Sequence, residues 1–218
     1  MHITHLGHAC VLIEMADTRL IIDPGTFAGD LAGVRDLDAV LVTHQHPDHL
    51  DPDRFPGLVA HNRHARVLCD PGSVEVLGGI GVDATAHDGP TQVGSVTVTP
   101  VGEVHALIHE EIPRIPNVGV RLDAEGEPSF FHPGDALDAE PGEVDVLAFP
   151  LQAPWQRSRE MTAFLRRFDA PHAVPVHDGL LQRRGRELYL GQAARLGGRD
   201  TRIHDLAGAG SKEFRAGG

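Results

Sequence analysis

The segment that most constrains this chain is Ala39-Val40-Leu41-Val42-Thr43, which runs straight into His44-Gln45-His46-Pro47-Asp48-His49. An uninterrupted apolar run of strand length reads as a β-strand buried on both faces, so material must cover the sheet from either side. The end of that strand carries three imidazoles and a carboxylate within six residues. In an extended chain, residues two apart point the same way, so His44 and His46 can converge on one ion. Pro47 then turns the chain, which lets Asp48 and His49 face the same pocket from another side. Imidazole and carboxylate suit Zn²⁺ and other divalent first-row ions.

The rest of the chain is punctuated like a strand-rich domain. Residues 9–15 and 19–23 flank the turn Ala16-Asp17-Thr18 and read as an opening hairpin. Further strands are expected at 66–69, 95–100, 118–122, 129–131, 144–150 and 173–176. Several stop at a Pro-Gly turn, as in Asp23-Pro24-Gly25 and His132-Pro133-Gly134-Asp135. Met161, Phe164, Leu165 and Phe168 form one apolar stripe, which predicts a helix over 158–168. A second helix is expected over 186–196, ending at Gly197-Gly198, with shorter ones after Asp51-Pro52 and Ser73. Strands with helices packed outside them make a layered α/β fold, read as one domain over residues 1–218. The glycine-rich end from Gly208 is expected to fray.

Composition narrows the function. The formal charge of −12 argues against a protein that grips nucleic-acid backbone, which calls for clustered Lys and Arg. No apolar stretch approaches the roughly 20 residues that span a bilayer, and no secretory signal opens the chain. Cys10 and Cys69 each lie in a strand-like run, so buried free thiols and a cytoplasmic setting are expected.

The motif, its preceding strand and the residues downstream resemble the metallo-β-lactamase fold superfamily over nearly the whole chain. The opening Gly7-His8-Ala9, the Asp23-Pro24 turn and His132-Pro133-Gly134-Asp135 look most like its compact ascorbate-6-phosphate-lactonase-like branch. The resemblance implies a four-layer αββα sandwich. It also implies two divalent ions, Zn²⁺ first, with Mn²⁺ or iron as alternatives. By that similarity His44, His46 and His105 hold one metal, while Asp48, His49 and His177 hold the other and Asp135 bridges them. His109, four residues beyond His105, competes with it for the third place at the first metal, with His105 preferred.

What the resemblance implies chemically is hydrolysis of a small ester-like bond (lactone, phosphodiester or thioester) by a metal-bridging hydroxide. Beside ligation, Asp48 has a second expected role in orienting that hydroxide or taking its proton. The superfamily often has cysteine where this chain has Asp135 when it opens β-lactams, so antibiotic hydrolysis is not expected. Asp23, His8 and His132 are expected to fix imidazole tautomers from behind. His109, Arg114 and Trp155 are expected at the pocket rim, with Arg114 gripping an anionic small-molecule substrate and Trp155 stacking on it. His2, His5, His61, His64, His87, His172 and His204 read as surface or turn residues. The competing readings are a nuclease acting on RNA or DNA and a di-iron redox centre.

Overall fold

The computed structural model describes residues 1–217. Its first sheet contains β1 (His2–Gly7), β2 (Cys10–Met15), β3 (Thr18–Ile22), β4 (Ala39–Val42), β5 (Arg66–Cys69), β6 (Thr85–Ala86) and β14 (Ser211–Glu213). They lie in the order β14-β1-β2-β3-β4-β5-β6. The second sheet contains β7 (Thr91–Val93), β8 (Val96–Val101), β9 (Gly119–Asp123), β10 (Phe130–His132), β11 (Val146–Pro150), β12 (His172–Val176) and β13 (Arg202–Ile203). Its order is β13-β12-β11-β10-β9-β8-β7. Helices α1 (Phe55–His61) and α2 (Pro71–Gly79) follow strands of the first sheet, and α3 (Ser158–Phe168) and α4 (Arg183–Leu196) follow strands of the second.

The layers follow from the alternation of side chains along each strand. In β4, Ala39 and Leu41 enter the core between the sheets, while Val40 and Val42 enter a second core that also holds Phe55, Leu58 and Leu77 of α1 and α2. In β11, Val146 and Ala148 face the central core, and Leu147 and Phe149 pack with Met161, Phe164 and Leu165 of α3. A strand apolar at every position is therefore needed wherever both faces are covered. The result is the expected αββα sandwich. No helix among the described residues is long and apolar enough to cross a membrane.

One expectation about the chain ends is corrected, and one strand there was not foreseen. His2–Gly7 forms a strand that its few apolar residues conceal, because Ile3 alone carries its fully buried apolar face. Residues 211–214 do not fray: Ser211–Glu213 pairs antiparallel with β1, and Phe214 is buried in the central core. His5, His87 and His172 are buried rather than surface residues. His5 Nε2 meets the His8 carbonyl at 2.8 Å, and His87 Nε2 meets that of Val98 at 3.2 Å. Both cysteines are buried free thiols. Burial, with Asp70 nearby, pushes Cys69 up to about 12, and burial raises Cys10 as well, so neither thiol is an effective nucleophile.

Candidate metal centre

The chain reaches one edge of the sandwich at the carboxyl ends of six strands. His8 follows β1, Asp23 follows β3 and His44 follows β4; His105, Asp135 and His177 follow β8, β10 and β12. Backbone bonds stitch the sheets together there, from Val118 N–H to the Thr43 carbonyl at 2.8 Å and from His177 N–H to the His8 carbonyl at 2.9 Å. Each candidate ligand thus hangs from the end of a rigid strand. Gly25 permits the closest approach: a Cβ there would stand 1.9 Å from the Asp48 carbonyl oxygen, so only glycine lets the Asp23 turn lie against the motif.

The side chains assemble in three overlapping groups, each with its donor atoms within 4.8 Å of one another: His44, His46 and His105; His8, Asp48, His49 and His177; and His44, His49 and Asp135. Asp135 joins the sets. Its Oδ1 lies 3.2 Å from His49 Nε2, and its Oδ2 lies 3.2 Å from His177 Nε2 and 3.3 Å from His105 Nε2.

Hydrogen bonds at the far side of each ring fix which nitrogen faces the centre. His49 Nδ1 donates to Asp23 Oδ2 at 2.7 Å, His105 Nδ1 to the Ala106 carbonyl at 2.6 Å, and His177 Nδ1 to the Gln152 carbonyl at 2.9 Å. Thr43 Oγ1 gives its proton to Asp23 Oδ2 at 2.8 Å and so accepts from His44 Nδ1 at 3.1 Å. In its neutral form each ring therefore turns an Nε2 lone pair inward. His46 presents Nδ1 instead, 3.1 Å from His44 Nε2.

His8 behaves differently. Its Nδ1 accepts from Gly179 N–H at 3.0 Å, so the proton of the neutral ring sits on Nε2 and is donated to Asp48 Oδ2 at 3.1 Å. A ring nitrogen carrying a proton cannot ligate. His8 therefore positions a carboxylate, where the sequence reading gave it an imidazole to hold. His132 is a second correction. Its Nδ1 accepts from Gly134 N–H and its Nε2 meets the Ala9 carbonyl, both at 3.1 Å, so it braces the turn before Asp135 and touches no candidate ligand ring. Trp155 lines a cavity beside the centre, at the expected rim, and its Nε1 also donates to Asp135 Oδ2 at 2.9 Å.

His109 stands outside all three groups, exposed on the loop beyond His105, where its Nδ1 accepts from Glu111 N–H at 3.1 Å. Arg114 turns its Nε to the His105 carbonyl at 2.7 Å. Two contributors escaped sequence reasoning. Thr43 links His44 to Asp23. Asn117, fully buried, takes Asp135 N–H on Oδ1 and gives Nδ2 to the Pro133 carbonyl, both at 2.9 Å. Thr43 was discoverable as the one polar residue between the strand and His44; Asn117 carries no sequence signal.

The electrostatics call for a cation. Burial opposes charge on His49, but Asp135 and Asp23 outweigh it and hold that imidazole well above its ordinary value. His177 is raised against burial by Asp135. Burial opposes ionisation of Asp135, yet His49 and His177 hold it well below the usual carboxylate range. Asp48 is held down to about 2 against burial, by the His8 hydrogen bond and the charge of His49. Burial drives His44 the other way, well below its ordinary value, with His49 adding to the effect. The decisive atoms are His49 Nε2, His105 Nε2, His177 Nε2 and Asp135 Oδ1, all buried without a hydrogen-bond partner. Each such orphan costs about 1–3 kcal/mol. Four converging on one space fit a divalent ion with nitrogen and oxygen ligands.

A family model described as a beta-lactamase superfamily domain matches residues 2–177, a span that contains every residue of this centre. The chain belongs to the metallo-β-lactamase superfamily. Among superfamily relatives, Protein Rv0786c of Mycobacterium tuberculosis is 38% identical, over 93% of this chain and 96% of its own length. A UPF0173 metal-dependent hydrolase of Azorhizobium caulinodans is 31% identical, over 82% of this chain and 86% of its own. The metallo-beta-lactamase fold protein YhfI from Bacillus subtilis superposes with a TM-score of 0.72, covering 93% of this chain and 95% of its own at 16% identity, a likeness of fold alone. As a member of this superfamily, the chain is a metal-dependent hydrolase.

Proposed function

We propose that the chain hydrolyses a small ester-like bond (lactone, phosphodiester or thioester) at a centre for two divalent ions, Zn²⁺ first and Mn²⁺ or iron as alternatives. The convergence of the four orphaned buried donors carries this reading. His44, His46 and His105 would hold one ion, Asp48, His49 and His177 the other, and Asp135 stands between the two sets. Ions held there supply a water acidic enough to lose its proton near neutral pH and a Lewis acid for the developing oxyanion.

The chain's own residues do the positioning. The Nδ1 hydrogen bonds of His44, His49, His105 and His177 fix the tautomers and the aim of the rings. Asp48 uses Oδ2 to accept from His8, leaving Oδ1 free to orient a reacting water. A carboxylate held near 2 is a weak proton acceptor, so ligation and orientation are its roles. With a net charge of −12, the chain suits a small molecule better than a nucleic-acid backbone. Buried free thiols fit a cytoplasmic setting.

The test pairs two measurements. Metal analysis after stripping and reloading is expected to give about two ions per chain, with turnover on a lactone, phosphodiester or thioester panel that is lost on chelation. Saturation at one ion removes the dinuclear assignment. Silence on every small ester, with sub-micromolar RNA or DNA binding at physiological salt, turns the reading to a nuclease.

A further inference from the structure

Phe27, Leu107, Ile108, Ile112 and Leu180 are large apolar side chains left between 38% and 52% exposed. Scattered exposed apolar residues are ordinary, but a cluster of them beside a functional centre marks a binding surface. All five lie on the loops that build this centre. The Phe27 ring is 5.1 Å from that of His8, Leu180 comes three residues after His177, and the other three follow His105.

Beside the centre lies a cavity of about 810 Å³ whose apolar wall includes Leu107, Ile108, Leu137, Trp155 and Phe164. Its size is that of a small-molecule site. Trp155 forms part of the wall and bonds Asp135 directly. Ile108 also lines a small recess shared with His46 and His105. The cavity and the centre thus adjoin through two side chains, Trp155 and Ile108.

The cations around the cavity are already engaged. Arg114 donates to the His105 carbonyl and lies 3.8 Å from Asp138; Arg157 lies 3.6 Å from Glu160. Arg167 donates to the Leu137 and Ala139 carbonyls and lies 3.5 Å from Glu140. An anionic group entering the cavity would compete with Asp138, Glu140 and Glu160 for these cations, whereas an apolar group displaces only water.

We propose that this cavity receives an uncharged alkyl or aryl arm of the substrate while the scissile bond lies at the metal centre. The assignment rests on reading the centre as an ester hydrolase, and it replaces the sequence expectation of an anionic substrate. The substrate class is a neutral ester, lactone or thioester with an apolar arm of several carbons. Leu107 and Ile108 determine specificity by covering that arm.

The experiment uses the metal-loaded full chain and follows the fluorescence of its single tryptophan, Trp155. The probes are N-methyl alkanamides from butanamide to decanamide, and the same amides ending in a sulfonate, a weak metal ligand. Affinity is expected to rise about fourfold per added methylene until the cavity is full. Leu107→Ser and Ile108→Ser, at exposed positions that the fold tolerates, are expected to flatten that slope. The sulfonate series is expected to bind more weakly at every length. Affinity independent of length, a slope unchanged in both variants, or tighter sulfonate binding overturns the proposal. Turnover of short esters with no length dependence would leave the hydrolase reading standing and remove this one. A steep amide slope with no ester turned over would keep the cavity as a site for an apolar group and remove the hydrolase reading, and with it the assignment of that group as a substrate arm.

Discussion

The Nε1–H of Trp155 points at Oδ2 of Asp135 across 2.9 Å, so the only tryptophan in the chain is tied to the carboxylate between the two ligand sets. Trp155→Phe keeps the aromatic wall and removes the donor. Losing an outer hydrogen bond to a ligating group typically costs 10- to 100-fold in metal affinity. About a tenfold loss is expected, read by competition with a chromophoric chelator while circular dichroism stays unchanged. Equal affinity in the variant would show that Trp155 does not hold Asp135 in place.

His8 offers a sharper test, because its ring could be taken for a ligand by proximity alone. The Gly179 N–H on Nδ1 assigns it the role of donor to Asp48. His8→Asn is therefore expected to keep the metal stoichiometry of the wild type with roughly tenfold weaker binding. Calorimetric titration that loses one ion per chain would make His8 a ligand.

The chain end also makes a measurable contribution. Phe214 is 3% exposed and packs in the central core, and its backbone N–H meets the Met1 carbonyl at 2.8 Å. Phe214→Ala is expected to cost about 3–5 kcal/mol in urea unfolding. A loss below about 1 kcal/mol would return residues beyond Gly208 to the status of a loose tail.

Away from the centre, His204 sets a pH dependence. Burial, then the charges of Lys212, His172 and Arg202, lower it from 6.5 to about 4. Between those values the unfolded chain binds a proton that the folded chain refuses, so stability falls as pH falls through that window. His204→Gln is expected to give a shallower loss between pH 6.5 and 4 when urea midpoints are compared with the wild type. Parallel curves would exclude His204 from the acid response.

The readable parts of the molecule were those whose determinants lie close together in sequence. The apolar strand before His44 and the stripe from Met161 to Phe168 announced a buried β4 and an amphipathic α3, because side-chain periodicity is local. The partners of Asp48 and Asp135 were opaque for the opposite reason. His8 reaches Asp48 over 40 residues and Trp155 reaches Asp135 over 20, and neither distance leaves a periodic trace. The strand at Ser211–Glu213 was hidden because its pairing with β1 depends on an edge created at the other end of the chain. The inward-facing His5 and His87 read as surface residues since a backbone carbonyl, invisible in sequence, satisfies each of them.

Three residues at the centre share a backbone property. His8, Asp23 and His177 adopt φ of 55°, 52° and 57°, in the left-handed region. For residues other than glycine such conformations cost on the order of 1–3 kcal/mol each. Glycine at any of the three would relax the backbone while deleting a side chain that the proposed chemistry uses. Stability and activity therefore pull in opposite directions at these positions. A descendant of this chain freed from its reaction is expected to drift toward glycine or asparagine there, gaining thermal tolerance as it forfeits catalysis, so those three codons would record whether a related sequence is still an enzyme.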